Sequence, residues 1–157
     1  MSSEQSVVLV KPDGLQRGLL GEIVARFERK GLKLVGLKLM KLTDELLDDW
    51  YGHHKDKSFF GELKSFMKSA PIVAMLWEGI DAVGVVRKLV GTTLGREAEA
   101  GSIRGDFSMS QQLNLIHASD VKDTAKKEKS LIFKDGEVMS WASASDSLVY
   151  SKEELEK

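Results

Sequence analysis

The residues best suited to chemistry lie in the segment NLIHASD at residues 114–120. A neutral imidazole such as that of His117 is a nucleophile toward phosphorus near neutral pH, provided that a partner fixes the orientation of its ring. A carboxylate can do so. Glu128 on the following predicted helix is a candidate, and Ser119 is placed to hold it. For a lone histidine the alternative is a strand end followed by a helix cap, in which the ring has only a structural role.

Basic side chains that could bind phosphate are found elsewhere on a chain whose formal net charge is −1. They are Lys11, Arg87 and Arg104. Arginine offers paired donors to phosphate oxygens, and phosphoryl transfer depends on positioning and charge neutralisation more than on covalent machinery. The alternative for each is an exposed, solubilising cation. Because the net charge is close to zero, no general attraction to nucleic acid or acidic membranes is expected.

Other classes of site are disfavoured by what the sequence lacks. It has no P-loop, no dinucleotide fingerprint and no protein-kinase motif set. The absence of cysteine excludes disulfides and thiolate catalysis. No His, Asp or Glu spacing indicates a metal site, and the adjacent His53 and His54 are predicted to be surface residues. Residues 1–6 do not form a secretory signal, and the longest apolar run, 72–77, is too short to span a bilayer. A cytoplasmic location is therefore expected.

The hydrophobic pattern predicts the elements that would position these residues. Strands are predicted at 7–10, 32–42, 72–77 and 113–117, with a tight turn at 11–14 after the first strand. Helices are predicted to end at Gly31, to begin at the caps Thr43 and Asp81, and to cover 59–67 and 121–129. The helix after Thr43 has an apolar stripe that includes Trp50, and the helix after Asp81 shows the clearest 3.6-residue period. Residues 91–112 show no period. A segment of that length without regular structure is usually functional.

This order of elements predicts an α+β fold of the ferredoxin-like type, with a four-stranded antiparallel sheet covered by helices on one face. A doubly wound parallel sheet is the alternative. The length suits a single domain over residues 1–157, and the polar ends at 1–5 and 151–157 are predicted to be flexible tails.

The segment at 114–120 resembles the signature N-x-x-H-[GA]-S-D of nucleoside diphosphate kinases. Further blocks match that family in the same order, namely VLVKPDG at 8–14, KDKSFF at 55–60, PIVAMLWEG at 71–79 and IRGDF at 103–107. The similarity runs from about residue 7 to about residue 141. It implies one nucleoside diphosphate kinase-like domain that transfers the γ-phosphate of a nucleoside triphosphate to a nucleoside diphosphate. The implied mechanism is ping-pong through a phosphohistidine, with broad base tolerance. The resemblance also implies Mg²⁺ brought with the nucleotide phosphates. It implies a homohexamer, with the tetramer found in some lineages of the family as the alternative.

The resemblance further implies roles for individual residues. His117 would carry the phosphoryl group, oriented by Glu128 and Ser119, and Lys11 and Tyr51 would lie against the transferred phosphate. The remaining roles concern the nucleotide, and their residues are Asn114 with Lys11 for the ribose hydroxyls, Arg87, Thr93 and Arg104 for the other phosphates, and Phe59 for stacking on the base. From the residues alone, Phe59 and Tyr51 could equally be core aromatics.

The chain departs from the usual family pattern without losing a proposed chemical group. Ser58 replaces a proline, residues 94–95 are Leu-Gly where Asn-Pro is frequent, and Val121 replaces a helix-capping Ser or Thr. The ending at 141–157 also differs. One rival is an RNA-recognition module, which would need an aromatic-rich motif where 103–108 places Asp106. The other is a catalytically silent relative kept as a structural oligomer.

Overall fold

The sheet places the histidine segment beside the first strand. In the computed structural model, which describes residues 3–156, the strands are β1 (Glu4–Val10), β2 (Lys33–Met40), β3 (Ile72–Gly79) and β4 (Ile116–Ala118). Their order is β2-β3-β1-β4 and every pairing is antiparallel. This confirms the predicted four-stranded antiparallel sheet. Leu9 is the register partner of His117, so the histidine lies on an edge strand next to the centre of the sheet.

Helices connect the strands, and further helices follow β4. Their bounds are α1 (Pro12–Gln16), α2 (Leu20–Lys30), α3 (Asp44–Trp50), α4 (Phe60–Lys68), α5 (Ala82–Val90), α6 (Ile103–Phe107), α7 (Lys122–Ile132), α8 (Asp146–Val149) and α9 (Lys152–Leu155). Short 3₁₀ turns cover Gly52–His54 and Gly95–Glu97. Local signals set several of these ends. Gly31 ends α2 in a left-handed conformation, and the Thr43 side chain accepts a hydrogen bond from the Leu46 N–H at the start of α3, both as predicted.

Helices cover both faces of the sheet, and the prediction of a single covered face was wrong. On one face Val8 and Val10 pack with residues of α2, α5 and α6, and on the other Val7 and Leu9 pack with residues of α3, α4 and α7. Side chains alternate between the two faces of a strand. A strand that is apolar at four consecutive positions therefore needs a hydrophobic layer on each side.

Other local predictions were also corrected. Residues 11–14 do not form a turn, because Pro12 begins helix α1, where a missing N–H has no cost. Asp81 precedes α5 with a φ of 52° and makes no capping side-chain hydrogen bond. The last strand is Ile116–Ala118 and not 113–117, since Leu115 has a φ of 74° that no strand accepts. The segment without a period, 91–112, contains α6.

The ends of the described chain carry regular structure. Strand β1 begins at Glu4, and α9 has a capping box between Ser151 and Glu154. Met1, Ser2 and Lys157 lie outside the described residues. The flexibility predicted for 1–5 and 151–157 stays a prediction. Between residues 3 and 156, none of the helices combines the length and the apolar character needed to cross a membrane.

Candidate active site

A chain of hydrogen bonds orients the ring of His117. Its Nε2 atom lies 2.8 Å from Oε1 of Glu128, which projects from α7 and is only 5% exposed. The second oxygen of Glu128 accepts a hydrogen bond of 2.6 Å from Oγ of Ser119. That length is typical of a hydroxyl bound to a carboxylate. The sequence named the same three residues, and the structure brings them together.

Ser119 is itself fixed to the sheet. It is fully buried, its N–H donates to the Val7 carbonyl at 3.0 Å, and its Oγ accepts from the Val7 N–H at 3.1 Å. The carboxylate of Glu128 is thus tied through Ser119 to strand β1. This arrangement holds the imidazole from a rigid part of the fold.

Trp50 contacts the same imidazole, a contact that sequence reasoning missed. The ring centroids of Trp50 and His117 are 5.2 Å apart and the planes make an angle of 77°, an edge-to-face arrangement. The sequence placed Trp50 only in the apolar stripe of α3. Its position next to Tyr51, a predicted site residue, was the available signal.

Lys11 is a buried cation at the site. Its Nζ donates to Oδ1 of Asn114 at 2.6 Å and lies 3.4 Å from the Gln112 carbonyl oxygen. Burial, with a further contribution from Arg104, lowers the pKa of Lys11 to about 8, and Asp13 partly opposes the shift. The lysine is therefore mainly charged at neutral pH but close to its titration range.

The two predicted phosphate-binding arginines differ in environment. Arg104 is 4% exposed, and its guanidinium donates to main-chain carbonyls of Gly91, Asn114 and Ile116. Burial and the nearby Arg87 lower its pKa to about 10, so it is still charged at neutral pH. Arg87 is partly exposed and forms an ion pair of 3.1 Å with Asp120. The buried arginine organises the backbone, whereas the exposed one is free to exchange partners.

Aromatic side chains border the opening of the site. Phe59 is 47% exposed, and His54 lies between it and Tyr51, with centroid distances of 5.4 Å and 6.4 Å. Burial, followed by the charge of Glu128, raises the pKa of Tyr51 to about 12, so its phenol keeps its proton. The prediction that both adjacent histidines are plain surface residues was wrong for His54, which is half-buried and, with its neighbour His53, lines the cavity.

One cavity of about 1080 Å³ brings these side chains together. Its volume is slightly above the range usual for small-molecule sites, which ends at about 1000 Å³. Ser119 lies behind the wall of this cavity, and the other predicted site residues line it, namely Lys11, Tyr51, Phe59, Arg87, Thr93, Arg104, Asn114, His117 and Glu128. These residues come from segments more than a hundred positions apart in the chain.

The loop that carries Thr93 shows how the chain accommodates a departure from the family pattern. The carbonyl of Thr93 accepts a hydrogen bond of 2.8 Å from the Asn114 side chain. Two residues later the Gly95 N–H donates to the Ser110 carbonyl, and a Cβ atom at Gly95 would clash with the side chain of Ser108. A proline there would lose the donor and clash, so this loop is built around glycine. Val121 makes no side-chain cap at the start of α7, as its residue type predicts.

The acidic residues of the site are not arranged to hold a metal ion by themselves. Within residues 3–156 no three His, Asp or Glu side chains cluster in a metal-binding arrangement. Among the carboxylates that line the cavity, Asp120 is paired with Arg87 and Glu128 with His117. A cation that entered this site would need oxygen ligands from another source, such as phosphates.

Comparison with known proteins identifies the class. The family profile described as nucleoside diphosphate kinase matches residues 4–138. A nucleoside diphosphate kinase of Staphylothermus marinus is 51% identical over 141 residues, which cover 90% of this chain and 100% of that protein. One from Bacillus licheniformis is 52% identical over 136 residues, covering 87% and 92%.

A solved structure agrees in three dimensions. The halophilic nucleoside diphosphate kinase from Halobacterium salinarum in complex with CDP has a TM-score of 0.92 and 47% identity, covering 94% of this chain and 99% of that one. Fold and site together define a phosphotransferase. The chain belongs to the nucleoside diphosphate kinase family.

Proposed function

We propose that this enzyme transfers the γ-phosphate of a nucleoside triphosphate to a nucleoside diphosphate by a ping-pong mechanism through a phosphohistidine at His117. The observation that carries the proposal is the hydrogen-bonded series Ser119–Glu128–His117 at the wall of a cavity that Lys11 and Arg87 also line. Such a series prepares one nitrogen for attack while cations neutralise the charge of the phosphates.

The carboxylate determines which nitrogen attacks. A carboxylate can only accept a hydrogen bond, so the 2.8 Å contact between Glu128 and Nε2 of His117 places the proton on Nε2 and leaves the lone pair on Nδ1. Nδ1 forms a bond to the γ-phosphorus as the bond from that phosphorus to the β,γ-bridging oxygen breaks. The electron pair leaves with the nucleoside diphosphate. In the second half-reaction a terminal oxygen of another diphosphate attacks the phosphorus, and the Nδ1–P bond breaks to regenerate the imidazole.

Cationic and neutral donors would stabilise the transferred group. Lys11 and the protonated phenol of Tyr51 line the same cavity as His117 and would donate to the transferring phosphate. Arg87, Arg104 and Thr93 would bind the remaining phosphates. Arg104 uses three of the five N–H groups of its guanidinium to donate to carbonyls. The other two N–H groups and the positive charge remain for this role.

The nucleoside would be bound by its ribose and by its flat base. Asn114 and Lys11 are joined to each other and would contact the ribose hydroxyls. The exposed ring of Phe59 at the cavity opening would stack on the base. Stacking does not read the hydrogen-bonding edge of a base, so broad base tolerance follows. The similarity to the Halobacterium salinarum enzyme, whose structure was solved in complex with CDP, supports a nucleotide as the ligand of this chain.

We propose that Mg²⁺ reaches this site with the nucleotide phosphates. The site fits this arrangement, because the described carboxylates form no metal-binding cluster and two of those at the cavity, Asp120 and Glu128, are paired with Arg87 and His117. When bound, the cation would neutralise charge on the β- and γ-phosphate oxygens. The protein residues would then bind the remaining phosphate charge and align it with His117.

We also propose a single domain over residues 1–157, a homohexamer and a cytoplasmic location. The family match over residues 4–138 supports the domain, and the family resemblance supports the assembly. The absence of cysteine is compatible with a reducing compartment. Sedimentation at micromolar concentration should give a particle of six chains of 17.4 kDa each. A particle of four chains would refute the hexamer.

Intact mass spectrometry tests the phosphohistidine. The purified protein is mixed with Mg²⁺ and ATP without an acceptor, and we expect one acid-labile phosphoryl group per chain that added GDP removes. His117→Ala should gain none, whereas Ser130→Ala, a change at an exposed residue of α7 outside the cavity lining, should be phosphorylated as the unmodified protein is. Absence of the phosphoryl group in correctly folded protein would favour the alternative, a silent nucleotide-binding or structural oligomer of this fold.

A further inference from the structure

The backbone turns sharply two residues before His117. Leu115 has a φ of 74°, and the Ile116 N–H donates to the Asn114 carbonyl at 2.9 Å, which closes a three-residue turn around Leu115. A turn of this kind with positive φ is rare and strained for any residue with a side chain. Such strain persists only where the surroundings hold it. The Leu115 side chain is fully buried, so it cannot relax into solvent.

The segment after β1 binds both backbone groups of the strained residue. The Leu115 N–H donates to Oδ2 of Asp13 at 3.0 Å, and the Leu115 carbonyl accepts from the Lys11 N–H at 2.8 Å. The other oxygen of Asp13 is buried and has no hydrogen-bond partner within the described residues. Within the described residues, the carboxylate of Asp13 therefore makes one hydrogen bond, which is the bond to the Leu115 N–H.

Two further features hold the same turn. Arg104 donates from Nε to the Asn114 carbonyl at 3.3 Å and from Nη2 to the Ile116 carbonyl at 2.7 Å, one on each side of Leu115. A Cβ atom at Gly14 would lie 2.7 Å from the Leu115 carbonyl oxygen. The close approach of α1 to the turn therefore requires glycine at this position.

The direction of β4 depends on this turn. The strand is only Ile116–Ala118, and it pairs with β1 at three positions. If φ of Leu115 relaxed to a negative value, Ile116 would be displaced and the His117 ring would rotate away from Glu128. The same contacts set the spacing between the ring and Lys11, since Lys11 and Asp13 belong to one short segment.

We propose that Asp13 is a positioning residue for phosphoryl transfer, which it serves by holding the strained turn at Leu115 that aims His117. The proposal rests on the proposed function of His117. Asp13 touches neither the imidazole nor the phosphates in this scheme, and it acts through the backbone of residues 114–116. The segment KPDG at 11–14 thus has two tasks, since Lys11 supplies charge and Asp13 with Gly14 supplies geometry.

The test compares two substitutions that remove the same negative charge. Asp13→Asn keeps an oxygen that can accept from the Leu115 N–H, and Asp13→Ala does not. The readout is the single-turnover rate of His117 phosphorylation by Mg²⁺-ATP, with the final amplitude counting competent sites. We expect Asp13→Ala to lower that rate on the order of a hundredfold, as for a small misplacement of a reacting group. The amplitude and the ATP concentration at half-saturation should change little, and Asp13→Asn should restore most of the rate.

Substitution of a neighbouring glycine gives an independent test that removes no hydrogen bond. Gly14→Ala pushes on the Leu115 carbonyl and should slow phosphorylation in the same way, whereas Gly21→Ala, where a Cβ atom meets nothing within 4 Å, should not. Gly14→Ala carries the test if Asp13→Ala fails to fold. An unchanged rate in Asp13→Ala, or an equal loss in Asp13→Asn, overturns the proposal while the unmodified protein still phosphorylates His117. Absence of phosphorylation in the unmodified protein instead overturns the proposed function.

Discussion

Replacing Ser119 by alanine should destabilise the fold and slow the chemistry together. The change removes the hydroxyl that donates to Glu128 at 2.6 Å and accepts from the Val7 N–H at 3.1 Å. All three groups are buried. A hydrogen bond to a charged group contributes about 2 kcal/mol, and a buried N–H left without a partner costs about 1–2 kcal/mol. We therefore expect Ser119→Ala to lower the free energy of unfolding by about 3–4 kcal/mol.

Urea unfolding followed by circular dichroism, at one fixed protein concentration, measures this loss. With a denaturant slope of about 2 kcal/mol per molar, the midpoint should fall by about 1.5–2 M. Ser130→Ala is the matched control, since Ser130 is exposed on α7 and its hydroxyl donates to the Lys127 carbonyl within the same helix. A change of this kind at an exposed position is expected to alter stability by at most about 0.5 kcal/mol.

The kinetic consequence follows from Glu128. Without Ser119 its carboxylate keeps the bond to His117 but loses the contact that fixes its other oxygen. Phosphorylation should slow by roughly tenfold, because orientation of the imidazole is only partly lost. A Ser119→Ala protein as stable and as fast as Ser130→Ala would refute the reasoning that Ser119 ties Glu128 to the sheet.

Further outcomes are expected at three residues, Glu128, Lys11 and Trp50. Glu128→Gln should slow phosphorylation at least a hundredfold, because a charge-assisted bond is lost and an amide N–H can favour the wrong tautomer of His117; normal burst kinetics would contradict this. Since the pKa of Lys11 is lowered to about 8, kcat/KM should fall as pH rises through about 8. The Lys11 ammonium binds its proton more tightly in the unfolded chain than in the folded protein. The free energy of unfolding should therefore rise with pH between about pH 8 and 10.5, and Lys11→Met should lack that rise in urea titrations. Trp50→Ala should slow phosphorylation with little effect on nucleotide affinity, and Trp50→Phe should keep an aromatic contact with His117 and restore most of the rate; stopped-flow measurements separate the two.

Short-range patterns allowed much of the fold to be predicted. Helix α5 showed a clear 3.6-residue period, Gly31 ended a helix and Thr43 began one. These signals depend on a residue's own backbone preferences and on neighbours within one helical turn, so the sequence contains them directly. The prediction for residues 11–14 was wrong because proline and glycine occur both in tight turns and in the first turn of a helix.

The chemistry of the site was also contained in the sequence, since residue types and the family motif named His117, Glu128 and Ser119 before any geometry was known. The distances between these side chains in the folded protein could not be predicted from the sequence. The sequence could not show that Arg104 is buried among carbonyls, or that Asp13 binds the backbone of Leu115 across 102 positions. Trp50 was assigned to the core, although its ring also contacts the imidazole.

What the sequence by itself determined is the set of reactive groups and the local elements that carry them, because both depend on residue identity and on nearby neighbours. Only the tertiary structure decided the strand order, the second covered face of the sheet and the strained turn at Leu115. Those features arise when distant segments pack together, and the hydrogen bonds that hold a strained backbone form only in the folded core.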